Sequence, residues 1–297
     1  MNHRLAKGVR ITAIGLSALF MANCASMVKM PDVKSVRKIG IVSIYMPTPE
    51  IKSKGGVKGI VDGVKNIKAG TDLNKVALQE IMISAVNSYE SILGSMGHWE
   101  VVPLKSIVYD SIYKQALQPP KVDLGDSRLA NSKAGKFAAK LGNAVVEGVA
   151  SGGSFLQKPY DDMYCIQFDW VDTDAAALGE AAKKLGLDGI AVIKMELSHQ
   201  LPKIAFTGPM GITKVYPIAN QHMLVVDRKG SIVVDTRLKP LKSIKSDKKV
   251  PMLVGPKTGD NGYTFTDKDN EIVTYVNDTF SKSAVELKSA LTAELIK

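Results

Sequence analysis

The chain has 297 residues, 45% of them apolar, with 39 Lys+Arg against 29 Asp+Glu and a formal net charge of +10. The basic excess is spread along the chain and forms no stripe, which excludes a dedicated nucleic-acid site and leaves anionic lipid, cell-wall polymer or acidic partners. Length and apolar share are enough for one large domain or two small ones.

Arg4, Lys7 and Arg10 precede an apolar run from Ile11 to Ala22, with small residues around a cut site. A spanning helix needs about 20 apolar residues, so residues 1–23 read as a signal peptide. The cut site resembles that of the bacterial lipoprotein family, whose Leu-small-small tripeptide before a cysteine stands here as Met21, Ala22 and Asn23. The resemblance implies a lipidated Cys24 as first mature residue. Ala25 and Ser26 lack the Asp that holds enterobacterial lipoproteins in the inner membrane, which implies the periplasmic face of the outer membrane, with a soluble periplasmic protein as the alternative. Loss of residues 1–23 removes three cations and leaves +7. With Cys24 acylated, Cys165 has no disulfide partner, and the core must hold by burial. No later stretch is long and apolar enough to span as a helix.

Residues 24–37 read as the lipidated cysteine and a polar tether, and 38–297 as a single domain with an insertion at 121–159. Lys38 to Tyr45 is a β-branched run closed by Pro47 and Pro49, a first buried strand. Residues 54–70 have helical apolar spacing interrupted by Gly55, Gly56, Gly59 and Gly63, and read as a glycine-rich excursion with some helix. Thr71 or Asp72 caps a helix with Leu78, Ile81, Met82, Ala85, Val86, Tyr89, Ile92 and Leu93 on one face, ending at Gly94 to Gly97. Trp99 to Leu104 is a short strand that Pro103 pushes to an edge, and Val108 to Leu117 a helix. Within 121–159, Phe137, Leu141, Val145 and Val149 repeat every four residues, a narrow face expected to lie on the domain's own surface, with a mobile amphipathic segment that touches membrane or a partner as the lesser reading.

Met163 to Trp170 reads as a strand containing Cys165. Thr173 or Asp174 opens a helix with Leu178, Ala181, Ala182 and Leu185 on one face and Gly186 as its left-handed terminator. Asp188 to Leu197 is a strand. Gln221 to Val226 and Ser231 to Thr236 flank Asp227-Arg-Lys-Gly230 as a hairpin, residues 239–260 form a Lys-rich loop, and Val276, Phe280, Ala284, Leu287, Leu291 and Leu295 mark a closing amphipathic helix. The alternation of strand and helix predicts an α/β (α+β) fold with a mixed sheet flanked by helices.

Candidate chemistry is sparse. His98, His199 and His222 lack zinc-ligand spacing. Asp267, Asp269 and Glu271 alternate like a calcium loop, but Ile272 stands where its glycine belongs. Ser151 to Ser154 lacks the nucleophile elbow, and Gly255 to Thr258 is no phosphate loop. Asp161, Asp162, Asp169, Asp172 and Asp174 are dense, and capping and solvation account for most of them. Cys165, in an apolar stretch, reads as a buried inert thiol. No acid, base and nucleophile come together, and neither a cofactor nor a metal is expected.

The order of these elements resembles the periplasmic domain family of CsgG, LpoB and the N-terminal domain of TolB. Lys38 to Tyr45 is similar to its first strand, Trp99 to Ile107 to its second strand and helix, Leu185-Gly-Leu-Asp-Gly-Ile-Ala-Val-Ile193 to a later strand, and Met223 to Asp235 to its hairpin. The resemblance implies a non-enzymatic outer-membrane lipoprotein that binds an envelope protein partner, or itself, in envelope biogenesis or secretion. CsgG-type channels build their barrel from two long hairpins, expected here at 197–220 and 238–271. The first gap holds Pro202, Pro209 and Pro217, and the second Lys239, Lys242, Lys245, Lys248 and Lys249. Lipid-facing strands need about 9–11 residues of apolar alternation, so a secretion pore is the lesser reading. An envelope-polymer-binding protein or hydrolase is weaker still.

Overall fold

Lys38–Pro47 forms the central strand β1, whose eight inner residues are all buried because both of its faces are covered. The computed structural model describes residues 26–47, 72–117, 156–200, 212–254, 261–262 and 271–296. β1 pairs in parallel with β2 (Glu100–Val102) on one side and with β4 (Gly189–Gln200) on the other. Parallel neighbours require crossovers. The first crossover is helix α1 (Asp72–Gly94), and the second carries α2 (Leu104–Val108), α3 (Tyr113–Ala116), β3 (Leu156–Gln157), α4 (Phe168–Thr173) and α5 (Ala175–Lys184). Right-handed crossovers running opposite ways along a sheet put their helices on opposite faces.

The contacts agree with that rule. α1 lies on one face with the closing helix α6 (Glu271–Leu295), where Ser88 Oγ and Ser281 Oγ meet at 3.1 Å. α2 and α5 lie on the other. β4 is followed by the antiparallel β5 (Ile212–Asp227), which also pairs with β6 (Ile232–Asp235), β7 (Ile244–Lys245) and β8 (Val250–Val254), and β8 pairs with β9 (Asn261–Gly262). The fold is thus mixed α+β, a mixed sheet flanked by helices. α1 buries Ile81, Met82, Ala85, Val86, Tyr89 and Leu93, and α6 buries Val276, Phe280, Ala284, Leu287 and Leu291, the faces their spacing predicts. Gln221 of β5, buried among them, accepts from the Tyr89 hydroxyl and donates to the Ser283 carbonyl, tying strand to both helices. Gly186 takes φ +65° to end α5, with Leu187 N donating to Ala182 O at 2.9 Å. At the β5–β6 turn Gly230 has φ +79°, and a Cβ on Gly179 of α5 would sit 2.5 Å from Gly230 N, so helix and turn meet backbone to backbone.

Four expectations are corrected. The predicted strand Met163 to Trp170 is an extended segment followed by α4. Hydroxyls, not a ladder, satisfy its backbone: Ser43 Oγ accepts from Ile166 N (2.9 Å), the Tyr45 hydroxyl from Phe168 N (3.3 Å), and the Tyr113 hydroxyl accepts from Tyr164 N (3.0 Å) while donating to Val42 O (3.0 Å). The single helix at 108–117 is α2 and α3 with a turn between them, where Asp110 Oδ1 accepts from Ile112 N (2.8 Å) and competes with helical bonding. In the proline-bearing gap 197–220, β4 runs to Gln200 and β5 starts at Ile212 and passes through Pro217, while the Lys-rich loop holds β7 and β8. The tether at 24–37 is, from Ser26 onward, part of the domain: Met27, Val28, Val33 and Val36 are all buried. Residues 54–70 and most of 121–159 lie outside the described residues.

Candidate functional site

Cys24 lies outside the described residues, and the chain just after it is held tightly. Val28 bridges Val234 of β6, Lys29 N donates to Val233 O (2.9 Å) and Asp235 N to Met27 O (2.8 Å), so residues 27–29 add to the free edge of β6. Ser26 Oγ stands 2.5 Å from Glu294 Oε2, and Lys239 Nζ reaches Glu294 Oε1 at 3.1 Å. Glu294, from the last turn of α6, is only 5% exposed, and a carboxylate at that depth needs such partners. The N-terminal segment is therefore clamped to both the sheet and α6.

A second feature follows from strand alternation. The bulge between Ile41 and Ser43 leaves Gly40, Ser43 and Tyr45 on the α2–α5 side, and their partners Ile190, Val192 and Lys194 point the same way. Helical cover on that side extends over Ile190 and Val192 and then gives out: Lys194 and Glu196 are half-buried, Ser198 and Gln200 exposed. Their β5 partners His222, Asn220, Ile218 and Tyr216 complete a polar sheet face. Lys194 pairs with Glu196 at 2.6 Å. Burial alone would raise the Glu196 pKa, but the Lys194 hydrogen bond and charge hold it below the usual carboxylate value. Desolvation lowers His222 against the pull of Glu196, so its imidazole is neutral at pH 7, and its Nδ1 is buried without a hydrogen bond. Lys245 Nζ sits 4.0 Å over the Tyr216 ring and Lys249 at 5.2 Å. At the opposite rim Arg237 binds Asp172 (2.7 and 2.8 Å) and Asp235 (2.9 and 2.8 Å) and lies 5.3 Å over Phe168. Such a surface offers fixed cations, amides and a flat aromatic, which suits recognition of another surface.

The other candidates are dispersed. His199 points to the face opposite His222, and His98 lies at the other end, 3.3 Å from Val33 O. Asp162 pairs with Lys114 (2.7 Å), Asp172 with Arg237, and Asp174 caps α5 by accepting from Ala177 N (3.0 Å). Asp161 is exposed and Asp169 lies in the first turn of α4. Cys165 is half-buried against the core. Glu271 opens α6, while Asp267, Asp269, Ser151 to Ser154 and Gly255 to Thr258 lie outside the described residues. No group of three metal-ligating side chains occurs among the described residues. No family model, curated protein or solved structure matches this chain.

Sequence reasoning missed both the clamp and the sheet face. The clamp had a signal, since Met27, Val28, Val33 and Val36 are apolar within a supposedly polar tether. The sheet face had a fainter one in the alternation of Val215, Pro217 and Ala219 with Tyr216, Ile218 and Asn220.

Proposed function

We propose that the chain is a non-enzymatic lipoprotein of the outer membrane, anchored on the periplasmic face through an acylated Cys24, whose α/β domain binds a protein partner in envelope assembly or secretion. One observation carries the reading: three basic residues and a short apolar run lead to Cys24, and Ser26, two residues further on, is already held in the folded domain. An acyl chain there holds a whole domain at the membrane, and the polar sheet face supplies a surface for the partner. Replacing Cys24 with Ala is expected to move the protein from the membrane fraction into the soluble periplasm. Continued membrane association of Cys24→Ala would overturn the anchor. Crosslinking in intact envelopes followed by pull-down is expected to capture a discrete envelope protein.

A second reading, a pore built from several copies, is favoured by the length of the β4–β5 hairpin and by β8 and β9 continuing the sheet beside it. Conductance in planar bilayers or detergent-stable rings would support it. Against it, α6 packs along β5 and β8, and Val215 and Ala219 are buried, so one face of this extension is not available to lipid.

A further inference from the structure

We infer that the end of the domain carrying Ser26, Leu238 and Ile296 is a docking surface for the phospholipid bilayer, so that the domain is held in one orientation on the membrane; this rests on the acylation of Cys24 proposed above. The first argument is reach. Two residues of extended chain span at most about 7 Å, so Ser26 lies within that distance of the acylated residue. Acyl chains enter the bilayer directly beneath Cys24. A flexible tether would let the domain sit anywhere above the surface, but here the chain from Ser26 is fixed to Glu294 and from Met27 to β6. The edge that receives it must face the headgroups.

The second argument is composition. Leu238 is 51% exposed and Ile296 79%. Both lie beside the clamp: Leu238 precedes Lys239, whose ammonium binds Glu294, and Ile296 follows Glu294 by two residues. Apolar side chains beside an insertion point fit the boundary between headgroups and acyl chains. The third argument is charge. Lys29 and Lys242 are exposed, while the carboxylates at the clamp are engaged, Glu294 buried with Ser26 and Lys239 and Asp235 bound by Arg237. The surface therefore presents cations with apolar residues, which matches an anionic bilayer better than a basic protein.

The test uses the full lipidated chain in vesicles of phosphatidylethanolamine and phosphatidylglycerol with brominated acyl chains, which quench tryptophan on contact. Leu238→Trp and Ile296→Trp are compared with Val285→Trp, a position 53% exposed on α6, the helix that Ile296 directly follows, and roughly 16 Å along its axis from that residue. The fluorescence added by the first two is expected to fall about twofold or more on brominated lipid, and that of Val285→Trp to stay unchanged. If the protein floats with the vesicles but all three variants are unquenched, the docking surface is overturned and the anchor stands. The surface is equally overturned if Leu238→Trp is shielded in detergent by a second copy or a protein partner. An intact mass lacking acyl chains on Cys24 would remove the anchor and the docking surface together.

Discussion

Arg237 joins elements that the chain keeps far apart, since Asp172 on α4 lies 65 residues before it. Its guanidinium holds Asp172 below the usual carboxylate range, chiefly through the hydrogen bond. A depressed carboxylate stabilises the fold above its unfolded pKa, near 4, and that stabilisation is lost as pH falls through the lower folded value. The pair is a third or more exposed, so solvent screens it. Arg237→Met is expected to cost about 1 kcal/mol at pH 7, with the difference from wild type shrinking below about pH 4, as read by denaturant unfolding. Burial lowers His199 and His222 from 6.5 in the same sense. Both are neutral in the folded state at pH 7, and the unfolded chain takes up their protons first as pH falls. Unfolding free energy should therefore drop between pH 7 and 5, and His222→Gln should flatten that slope. Neither effect could be read from the sequence, where an Arg after a hairpin and a His in an apolar strand show no partner.

At the scale of elements, periodic segments were legible and compensated ones were not. β1, α1, α5, β4 and α6 bury the faces their spacing announces, because helix and strand periods write burial into neighbouring residues. Residues 163–167 have strand-like composition, yet the hydroxyls of Ser43, Tyr45 and Tyr113 take the place of a neighbouring strand. Tyr113 is fully buried and serves two backbone groups at once. Tyr113→Phe takes the hydroxyl from the buried Val42 carbonyl and from the half-buried Tyr164 N–H and is expected to cost about 1–3 kcal/mol. Tyr109→Phe, at a position 60% exposed, should stay within about 0.5 kcal/mol of wild type. Thermal or chemical melts of both variants check the contrast.

For the molecule as a whole, the consequence of the fold is that its N-terminal segment is a structural element and not a leash. Glu294 is the fixed point. Glu294→Gln keeps the shape but weakens the hold on Lys239 and Ser26, and should speed hydrogen exchange at the amides of Lys29 and Asp235, which pair residues 27–29 with β6. Unchanged exchange at those two amides would mean that strand pairing alone fixes the segment. The sequence by itself determined the basic residues and apolar run that precede Cys24, the alternation of strands and helices and the buried faces of the long helices, since each depends on residues close together in the chain. The tertiary structure alone decided that residues 26–36 belong to the domain, that β5 continues through Pro217, and that Ser26, Lys239 and Glu294 converge. Those outcomes hinge on hydrogen bonds between residues as many as 268 positions apart, which local periodicity does not encode.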